Sequence, residues 1–331
     1  MVLRPLTFQA QIAVDCRNRL GEGLVWSKRR NGLLWVDIEG LTLYELSKVH
    51  ECEQGSLVRQ WALPERSGTV ALTNVKDEVV LPLEGGLAVF NLEAEGTVTK
   101  RLEVGFETDT PKTRPNDGRV DRDGRFVFGG YNEEHRSDGG RAVSGVYRLE
   151  AEEGGVLRLL ARRFRVANSI CFSPSGGKMY FCDSPSRRIL SVRYDGGGAA
   201  ATQRLPLDEA EGSVGVFYAF PDGSPGFPDG ATVDSEGGVW SAQFGASRVV
   251  RHSPVDGAVD TVVEVPVPNP TCVALGGPDL TTLYITTTRR RMSEAELAEK
   301  PMAGGLFKAT VPVPGIPEPE YRLRREPRQD F

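Results

Sequence analysis

The stretch DGRVDRDGRFVFGGYN, residues 117–132, contains a short apolar strand, a turn and a second apolar strand. Asp123-Gly124 is a strong hairpin signal, because glycine tolerates the positive φ that a tight turn requires. The same succession of a small or polar residue, a strand, a turn and a strand occurs in six segments of the chain. The other five are GLVWSKRRNGLLWVDIEG from Gly23, TVALTNVKDEVVLPLEGG from Thr69, NSICFSPSGGKMYFCDSP from Asn168, DGATVDSEGGVWSAQFG from Asp229 and TCVALGGPDLTTLYITTT from Thr271.

The spacing of these segments indicates one repeated unit. Their starts are separated by 46, 48, 51, 61 and 42 residues. A third and a fourth apolar strand fit into each interval, and four short strands in about 50 residues form the blade of a β-propeller. A two-sheet sandwich or two tandem barrels would not produce a common period. We therefore predict an all-β fold, a six-bladed β-propeller with four-stranded blades around a central channel.

The ends of the chain complete this prediction. Residues 1–311 are assigned to a single propeller domain, in which a strand at about residues 6–15 closes the last blade. Residues 312–331 form a Pro-rich, charged tail, which is expected to be extended or partly disordered. A brief helix is predicted in MSEAELAEKP, because Ser293 and Glu296 have the spacing of a capping box.

Composition excludes several classes of protein. A net charge of −5 argues against a general nucleic-acid binder, and no apolar run reaches the roughly 20 residues that span a bilayer. We expect a cytoplasmic protein with no nucleic-acid or membrane partner, either a monomer or a weak homodimer. The basic runs Lys28-Arg29-Arg30 and Arg289-Arg290-Arg291 are interpreted as solvated loops. The five cysteines form no CxxC motif, and Cys171, Cys182 and Cys272 lie in apolar strands, which favours buried thiols.

Polar residues begin several of the predicted inner strands. In a propeller the first strand of each blade lines the channel, so residues just before these strands meet at one opening. Four of the six positions carry groups that an apolar channel would not favour: Glu22, Asn116 with Asp117, Asn168, and Asp229. Taken singly, each could make a turn. Together they predict an oxygen-rich site on the axis.

Such a set of ligands suits one divalent cation. Oxygen donors without histidine or thiolate favour Ca²⁺, Mg²⁺ or Mn²⁺, with Zn²⁺ and Fe²⁺ as alternatives. A cation would also offset the cost of placing carboxylates in a channel. Tyr131 and Asn132 follow the second strand of the third blade and are candidates for the wall of the same pocket.

The sequence also resembles a known family in five ordered blocks. LGEGLVW, RPNDGRVDRDGRF, ANSICFSPSGGKMYFCDS, FPDGATVDSEGGVWSA and PTCVALGGPDLTTLYIT followed by AGGLF are similar to the blocks of the SMP-30/gluconolactonase/luciferin-regenerating-enzyme family, from about residue 12 to 310. The resemblance implies a six-bladed propeller with one axial divalent metal that hydrolyses sugar lactones.

The family motifs assign roles position by position. They imply that Glu22, Asn168 and Asp229 are metal ligands, and that Arg114, Asn116 and Glu134 contact the substrate. Two blocks differ from the family. Asn168 is followed by Ser169 where glycine is usual, which predicts a different turn, and Gly129-Gly130-Tyr131-Asn132 replaces a G-T-M type sequence, which alters a pocket wall.

The chemistry of a lactone suggests how these residues would act. Hydrolysis of a cyclic ester passes through a tetrahedral intermediate, and a bound cation can polarise the carbonyl or activate water. Asp229 is the candidate general base, and Arg114, Asn116, Tyr131 and Glu134 are candidates for orienting the sugar. Two alternatives remain open at this stage: a propeller hydrolase of another ester or an organophosphate, and a non-enzymatic calcium-binding regulatory protein.

Overall fold

The computed structural model describes residues 4–47, 57–93, 97–102, 104–110, 112–150, 155–194 and 214–324, and it confirms the six-bladed β-propeller. Two short strands come first, β1 (Leu6–Gln9) and β2 (Gln11–Val14). Blade 1 contains β3 (Gly21–Ser27), β4 (Gly32–Asp37), β5 (Thr42–Ser47) and β6 (Leu57–Ala62). Blade 2 contains β7 (Ala71–Leu72), β8 (Glu78–Leu83), β9 (Gly86–Asn91) and β10 (Thr97–Arg101).

The remaining blades repeat the same antiparallel order from the channel outwards. Blade 3 contains β11 (Thr113–Val120), β12 (Phe126–Asn132), β13 (Ser144–Glu150) and β14 (Val156–Phe164). Blade 4 contains β15 (Ala167–Phe172), β16 (Lys178–Asp183), β17 (Arg188–Arg193) and β18 (Val214–Ala219). Blade 5 contains β19 (Phe227–Val233), β20 (Val239–Phe244), β21 (Arg248–His252) and β22 (Val259–Glu264), and blade 6 contains β23 (Pro270–Gly276), β24 (Thr282–Thr287) and β25 (Leu306–Thr310).

The two N-terminal strands join neighbouring blades. Strand β2 pairs with β25 in antiparallel register, with Gln11 opposite Lys308, and so supplies the outer strand of blade 6. Strand β1 pairs in parallel with β22 and adds a fifth strand to blade 5. The segment before blade 1 therefore links the last two blades and closes the ring.

Apolar side chains fill the interfaces between blades. The described residues form an apolar cluster at each of the six interfaces between adjacent blades, and Trp35 and Trp240 are fully buried in two of them. The prediction of buried thiols is confirmed for Cys171, Cys182 and Cys272, which are free and buried. Most of the hydrophobic stabilisation is therefore available only when blades pack against each other.

A short helix and a C-terminal segment lie outside the blades. Helix α1 (Glu294–Glu299), between β24 and β25, begins with the capping box that was predicted at Ser293 and Glu296. No helix among the described residues has the length and apolar character needed to cross a membrane. Residues 312–324 run across the end of the propeller at which the inner strands finish.

The described part of this tail packs onto several blades, and its backbone at Gly315 bridges to Asp234 of blade 5. The backbone of Tyr321 bridges to Thr73 of blade 2, and its hydroxyl donates a hydrogen bond to the Glu150 carbonyl oxygen of blade 3 at 2.8 Å. Glu318 forms a buried ion pair with Arg119, which also donates hydrogen bonds to the Ala231 and Val273 carbonyl oxygens. A single segment therefore contacts strands from opposite sides of the channel.

Histidine 252 in blade 5 makes folding stability sensitive to acid. Burial lowers its pKa to about 4, and its ring packs on Tyr218 with ring centroids 4.2 Å apart. The unfolded chain takes up this proton near pH 6.5, so the contribution to stability is complete above that pH and is lost as the pH falls towards 4. At pH 5 the loss amounts to about 2 kcal/mol.

We expect His252→Phe, which keeps the aromatic packing, to flatten this acid dependence. The free energy of unfolding is measured by urea denaturation at pH 7 and at pH 5. Its decrease between the two pH values should be about 2 kcal/mol larger in the original chain than in the variant. Equal losses in the two proteins would show that His252 does not bind the proton on unfolding.

Candidate active site at the rim of the channel

The predicted site begins at an irregularity shared by the inner strands. Five inner strands contain a bulge near their first residue, where their pairing with the second strand of the blade changes register. They are β3, β11, β15, β19 and β23. The shifts follow Glu22, Pro115, Asn168, Pro228 and Pro270. Such bulges bend the strand and redirect a side chain, and they are common beside active sites. Here they turn polar residues towards the opening of the channel.

A cavity of about 300 Å³ lies at this opening. That volume is at the lower end of the range for small-molecule sites. The cavity is lined by Leu20, Glu22, Arg114, Asn116, Tyr131, His135, Arg136, Val166, Asn168, Ser184, Pro185, Phe227, Pro228, Asp229, Phe244, Arg290 and Arg291. Seven residues were assigned from the sequence as metal ligands, base or sugar contacts, and six of them are brought together here: Glu22, Arg114, Asn116, Tyr131, Asn168 and Asp229.

A directional chain of hydrogen bonds connects blades 3, 4 and 5 beneath the cavity. Arg114 Nη1 donates to Asn116 Oδ1 at 2.8 Å, and Asn116 Nδ2 donates to Asn168 Oδ1 at 2.8 Å. Asn168 Nδ2 then donates to Ser184 Oγ at 2.9 Å, and this hydroxyl donates to the Pro228 carbonyl oxygen at 2.7 Å. Since a guanidinium can only donate, it orients both amides in turn. The oxygen of Asn168 is directed towards Asn116 and keeps a second lone pair.

The two carboxylates of the cavity share an unfavourable environment. Burial raises the pKa of Glu22 well above its ordinary value, and the negative charges of Asp229 and Asp117 raise it further. Burial likewise raises the pKa of Asp229, and Asp117 adds to the effect. Glu22 Oε2 is buried and has no hydrogen-bond partner in the described structure. Both groups would ionise readily only beside a positive charge.

These observations fit a divalent cation. No group of three or more His, Cys, Asp and Glu side chains suitable for a metal occurs in the described part of the chain, so the two carboxylates need an amide oxygen as a further ligand. Asn168 lines the same cavity and supplies one. Carboxylate and amide oxygens are the ligands that Ca²⁺ and Mg²⁺ prefer.

The serine that replaces the usual glycine keeps the same backbone turn, whereas a different turn was predicted. Ser169 adopts a φ of +56°, close to the +61° of Gly23 at the matching position of blade 1. This left-handed conformation is unfavourable for serine and is typical of functional sites. Ser169 Oγ donates to the Asp229 carbonyl oxygen at 2.6 Å, so the hydroxyl also connects the two strands that carry Asn168 and Asp229.

The structure places Glu134 outside the cavity. Its backbone nitrogen donates to Asn132 Oδ1 at 3.0 Å, and its half-exposed carboxylate pairs with Lys112. The local turn after β12 therefore directs this side chain to solvent, which does not support the substrate contact that the family motif implied. Neighbouring Glu133 is held by Arg66.

Two further polar candidates, Asp117 and Asn132, and also Asp183 at the end of β16, have structural partners instead. Asp117 accepts hydrogen bonds from the backbone nitrogens of Gly118 and Ile170, and so joins blades 3 and 4. Asn132 Nδ2 donates to Asp138, within the loop after β12. Asp183 accepts from the backbone of blade 4 and pairs with Arg165. None of the three lines the cavity.

Sequence reasoning missed part of the wall. The run Arg289-Arg290-Arg291 lies in a solvent-accessible loop, as predicted, but Arg290 and Arg291 also line the cavity, which was not predicted from the sequence. His135 is also buried there, with its ring against Tyr131. These residues lie in loops between strands, and the strand repeat does not predict where a loop side chain is placed. A three-arginine run after a second strand was the one available signal.

Comparison with known proteins adds a separate line of evidence. The family model described as "SMP-30/Gluconolactonase/LRE-like region" matches residues 20–289. An L-arabinolactonase of Azospirillum brasilense is 42% identical over 301 residues, which cover 91% of each chain. A 6-deoxy-6-sulfogluconolactonase of Pseudomonas putida is 37% identical over 302 residues, covering 91% of this chain and 94% of that protein. The crystal structure of a calcium-binding protein, regucalcin, from Agrobacterium tumefaciens strain C58 matches with a TM-score of 0.82 at 27% identity, over 97% of this chain and 100% of that one.

Proposed function

The chain belongs to the SMP-30/gluconolactonase/LRE-like family, and from this premise we propose that it is a lactonase that hydrolyses a sugar lactone to the open-chain aldonic acid with the help of one divalent cation. The observation that carries the proposal is the convergence of Glu22, Asn168 and Asp229 on one cavity beside the buried Arg114. Two relatives that share about nine-tenths of the chain are named as sugar lactonases.

The cation would be held by three side chains. Glu22, Asn168 and Asp229 are the proposed ligands. Glu22 Oε2 has no hydrogen-bond partner in the described structure, burial raises the pKa of both carboxylates so that a cation would favour their charged forms, and Asn168 Oδ1 accepts one hydrogen bond and keeps a second lone pair. When bound, a divalent cation supplies positive charge that stabilises the oxyanion of the tetrahedral intermediate and lowers the pKa of water. The hydrogen-bond chain from Arg114 to Asn168 keeps the amide oxygen of Asn168 in the orientation that a ligand requires.

Asp229 is the proposed general base. Its carboxylate lines the cavity, whereas the carboxylate of Asp117 is fully engaged with backbone nitrogens. A carboxylate beside the reacting carbonyl can remove a proton from the attacking water and return it to the leaving ring oxygen. Ser169 holds the Asp229 backbone at 2.6 Å and so restricts the motion of this base.

The remaining polar residues would orient the sugar ring. Arg114 is 1% exposed, and its Nε is a buried donor that makes no hydrogen bond in the described structure, although it lies 3.9 Å from Glu133 Oε1. The guanidinium lies 4.5 Å from the centroid of the Tyr131 ring, which fixes it against the cavity wall. A ring hydroxyl that accepts from Arg114 would satisfy that donor, and a hydrogen bond to a charged group is worth about 1.5–3 kcal/mol. The apolar side chains of Phe227 and Phe244 also line the cavity.

A direct test measures acid release from a panel of lactones. The panel contains arabinono-1,4-lactone, glucono-1,5-lactone, a simple aliphatic lactone and an organophosphate ester. We expect hydrolysis of at least one aldonolactone, a loss of rate of about 100-fold or more after removal of divalent cations, and recovery when one cation is restored. Hydrolysis that is indifferent to chelation would contradict the role of the cation, and activity confined to the phosphate ester or absent altogether would contradict the lactonase.

A further inference from the structure

The mouth of the cavity carries an excess of positive charge that the proposed reaction does not use. Arg136 comes from the loop after β12 of blade 3, and Arg290 and Arg291 come from the loop after β24 of blade 6. With the buried Arg114 below them, four guanidinium groups line a cavity of about 300 Å³. We refer to Arg136, Arg290 and Arg291 as the arginine rim.

Few carboxylates offset the arginine rim. Arg290 lies 4.0 Å from Glu39, a carboxylate that is also 4.0 Å from Arg66. In the described part of the chain, Arg136 and Arg291 have no carboxylate within ion-pair distance. The carboxylates that line the cavity are Glu22 and Asp229, the proposed ligands of a divalent cation. The +2 charge of that cation would balance their two negative charges, so they would not neutralise the arginine rim.

The arginine rim is also held in place before any ligand binds. The backbone nitrogen of Arg290 donates to Thr288 Oγ1 at 2.8 Å and to the Arg19 carbonyl oxygen at 3.1 Å, which attaches the loop to blade 1. Arg291 has a φ of +65°, and its guanidinium lies 5.7 Å from the Phe244 ring centroid. The guanidinium of Arg290 lies 5.9 Å from the Tyr131 ring centroid.

This arrangement concentrates cations where a neutral sugar would not need them. Placing guanidinium groups together costs electrostatic energy unless an anion lies between them. Arginine presents a planar pair of donors that matches the oxygens of a sulfonate, phosphate or carboxylate.

We propose, on the basis of the lactonase function above, that the substrate is an anionic sugar lactone, with a negatively charged group on the carbon chain outside the ring that is bound by the arginine rim. The lactone ring then lies deeper, against Arg114, Asn116 and Asp229. The charge that matters is shared by sulfonate, phosphate and carboxylate groups, and the choice among them depends on size and geometry.

The test compares lactones that differ only at the sixth carbon. The neutral probe is glucono-1,5-lactone, and the anionic probes are its 6-phospho and 6-deoxy-6-sulfo derivatives and the corresponding 6-carboxylate. We expect kcat/KM for the best anionic probe to exceed that for the neutral probe about tenfold or more at low salt. The advantage should shrink as the salt concentration rises from about 20 to 200 mM, because the arginine rim is exposed to solvent.

Two charge-matched variants locate the effect. Arg291→Gln should lower kcat/KM for the anionic probe about tenfold while changing the neutral probe less than about threefold. Arg289→Gln removes the same charge from the same loop at a residue that does not line the cavity, and it should preserve the preference. Equal kcat/KM for neutral and anionic probes, or an equal loss on both in Arg291→Gln, would overturn the anion site.

A binding measurement separates this inference from the proposed reaction. Calorimetry with gluconate and 6-phosphogluconate should show tighter binding of the phosphorylated acid, and Arg291→Gln should remove the difference. If none of the lactones is hydrolysed but this preference is seen, the reaction is wrong and the anion site stands. If lactones are hydrolysed and the two acids bind equally, the reaction stands and the anion site is wrong.

Discussion

Replacing Asp229 by asparagine is expected to lower kcat about 1,000-fold, because the variant keeps an oxygen that can bind the cation but loses the group that accepts a proton. The substitution is nearly isosteric in a residue that is 8% exposed, so the fold should be retained. Rates of acid release on the best lactone of the panel measure the effect. A rate within about fivefold of the original would exclude Asp229 as the base.

The cation affinity of the same variant separates its two proposed roles. Direct titration of the chelated protein should show weaker cation binding in both Asp229→Asn and Glu22→Gln, since each variant keeps an amide oxygen as a ligand but leaves the site with one carboxylate. If Asp229→Asn loses rate and affinity in the same proportion, the residue acts as a ligand alone. Unchanged affinity in Glu22→Gln would remove Glu22 from the ligand set.

The second large effect is expected at the other end of the channel. Glu318→Gln should lower the free energy of unfolding by about 3–5 kcal/mol, because it leaves the charge of Arg119 buried without its partner. The side chains of Arg119 and Glu318 are 7% and 8% exposed, so solvent screens the pair little. Urea denaturation followed by fluorescence provides the measurement.

A double substitution tests whether the cost comes from the unpaired charge. Arg119→Met combined with Glu318→Gln should recover part of the loss, since it removes the buried charge as well as its partner. The control is Glu320→Gln in the same tail, whose pair with Arg29 is partly exposed and worth about 1 kcal/mol or less. A loss in Glu318→Gln no larger than in Glu320→Gln would show that the tail does not stabilise the propeller through this pair.

The parts of the structure that could be predicted are those that repeat. The period of the strands determined the blade number, and the polar residues Glu22, Asn168 and Asp229 were identified because they occupy one position of that repeat. Each of the three lines the cavity. The bulges that turn them inwards depend on pairing with the second strand, which no local pattern shows.

The less predictable parts depend on contacts between distant loops. Glu134 was assigned as a substrate contact from the spacing of a family motif. Its carboxylate pairs with Lys112 and its backbone nitrogen donates to Asn132, so the spacing alone did not determine where the side chain points. Arg290 and Arg291 reach the cavity because their loop is bonded to residues near the start of the chain. The sequence of a basic run does not show whether it lies on the open surface or at the mouth of a site, because this depends on which residues the fold places opposite it.

The pairing of β2 with β25 has a consequence for how the protein is made. Gln11 and Lys308 must meet, so strand β2 waits for a strand that emerges about 300 residues later, and at about 5–20 residues per second this takes on the order of 15–60 s. Until β25 emerges, the backbone edge of β2 stays open to pairing with other chains. Folding should therefore be slow and sensitive to crowding on the ribosome, and the cavity lined by Glu22, Arg114, Asn168 and Asp229 is complete only when blades 1, 3, 4 and 5 have packed together.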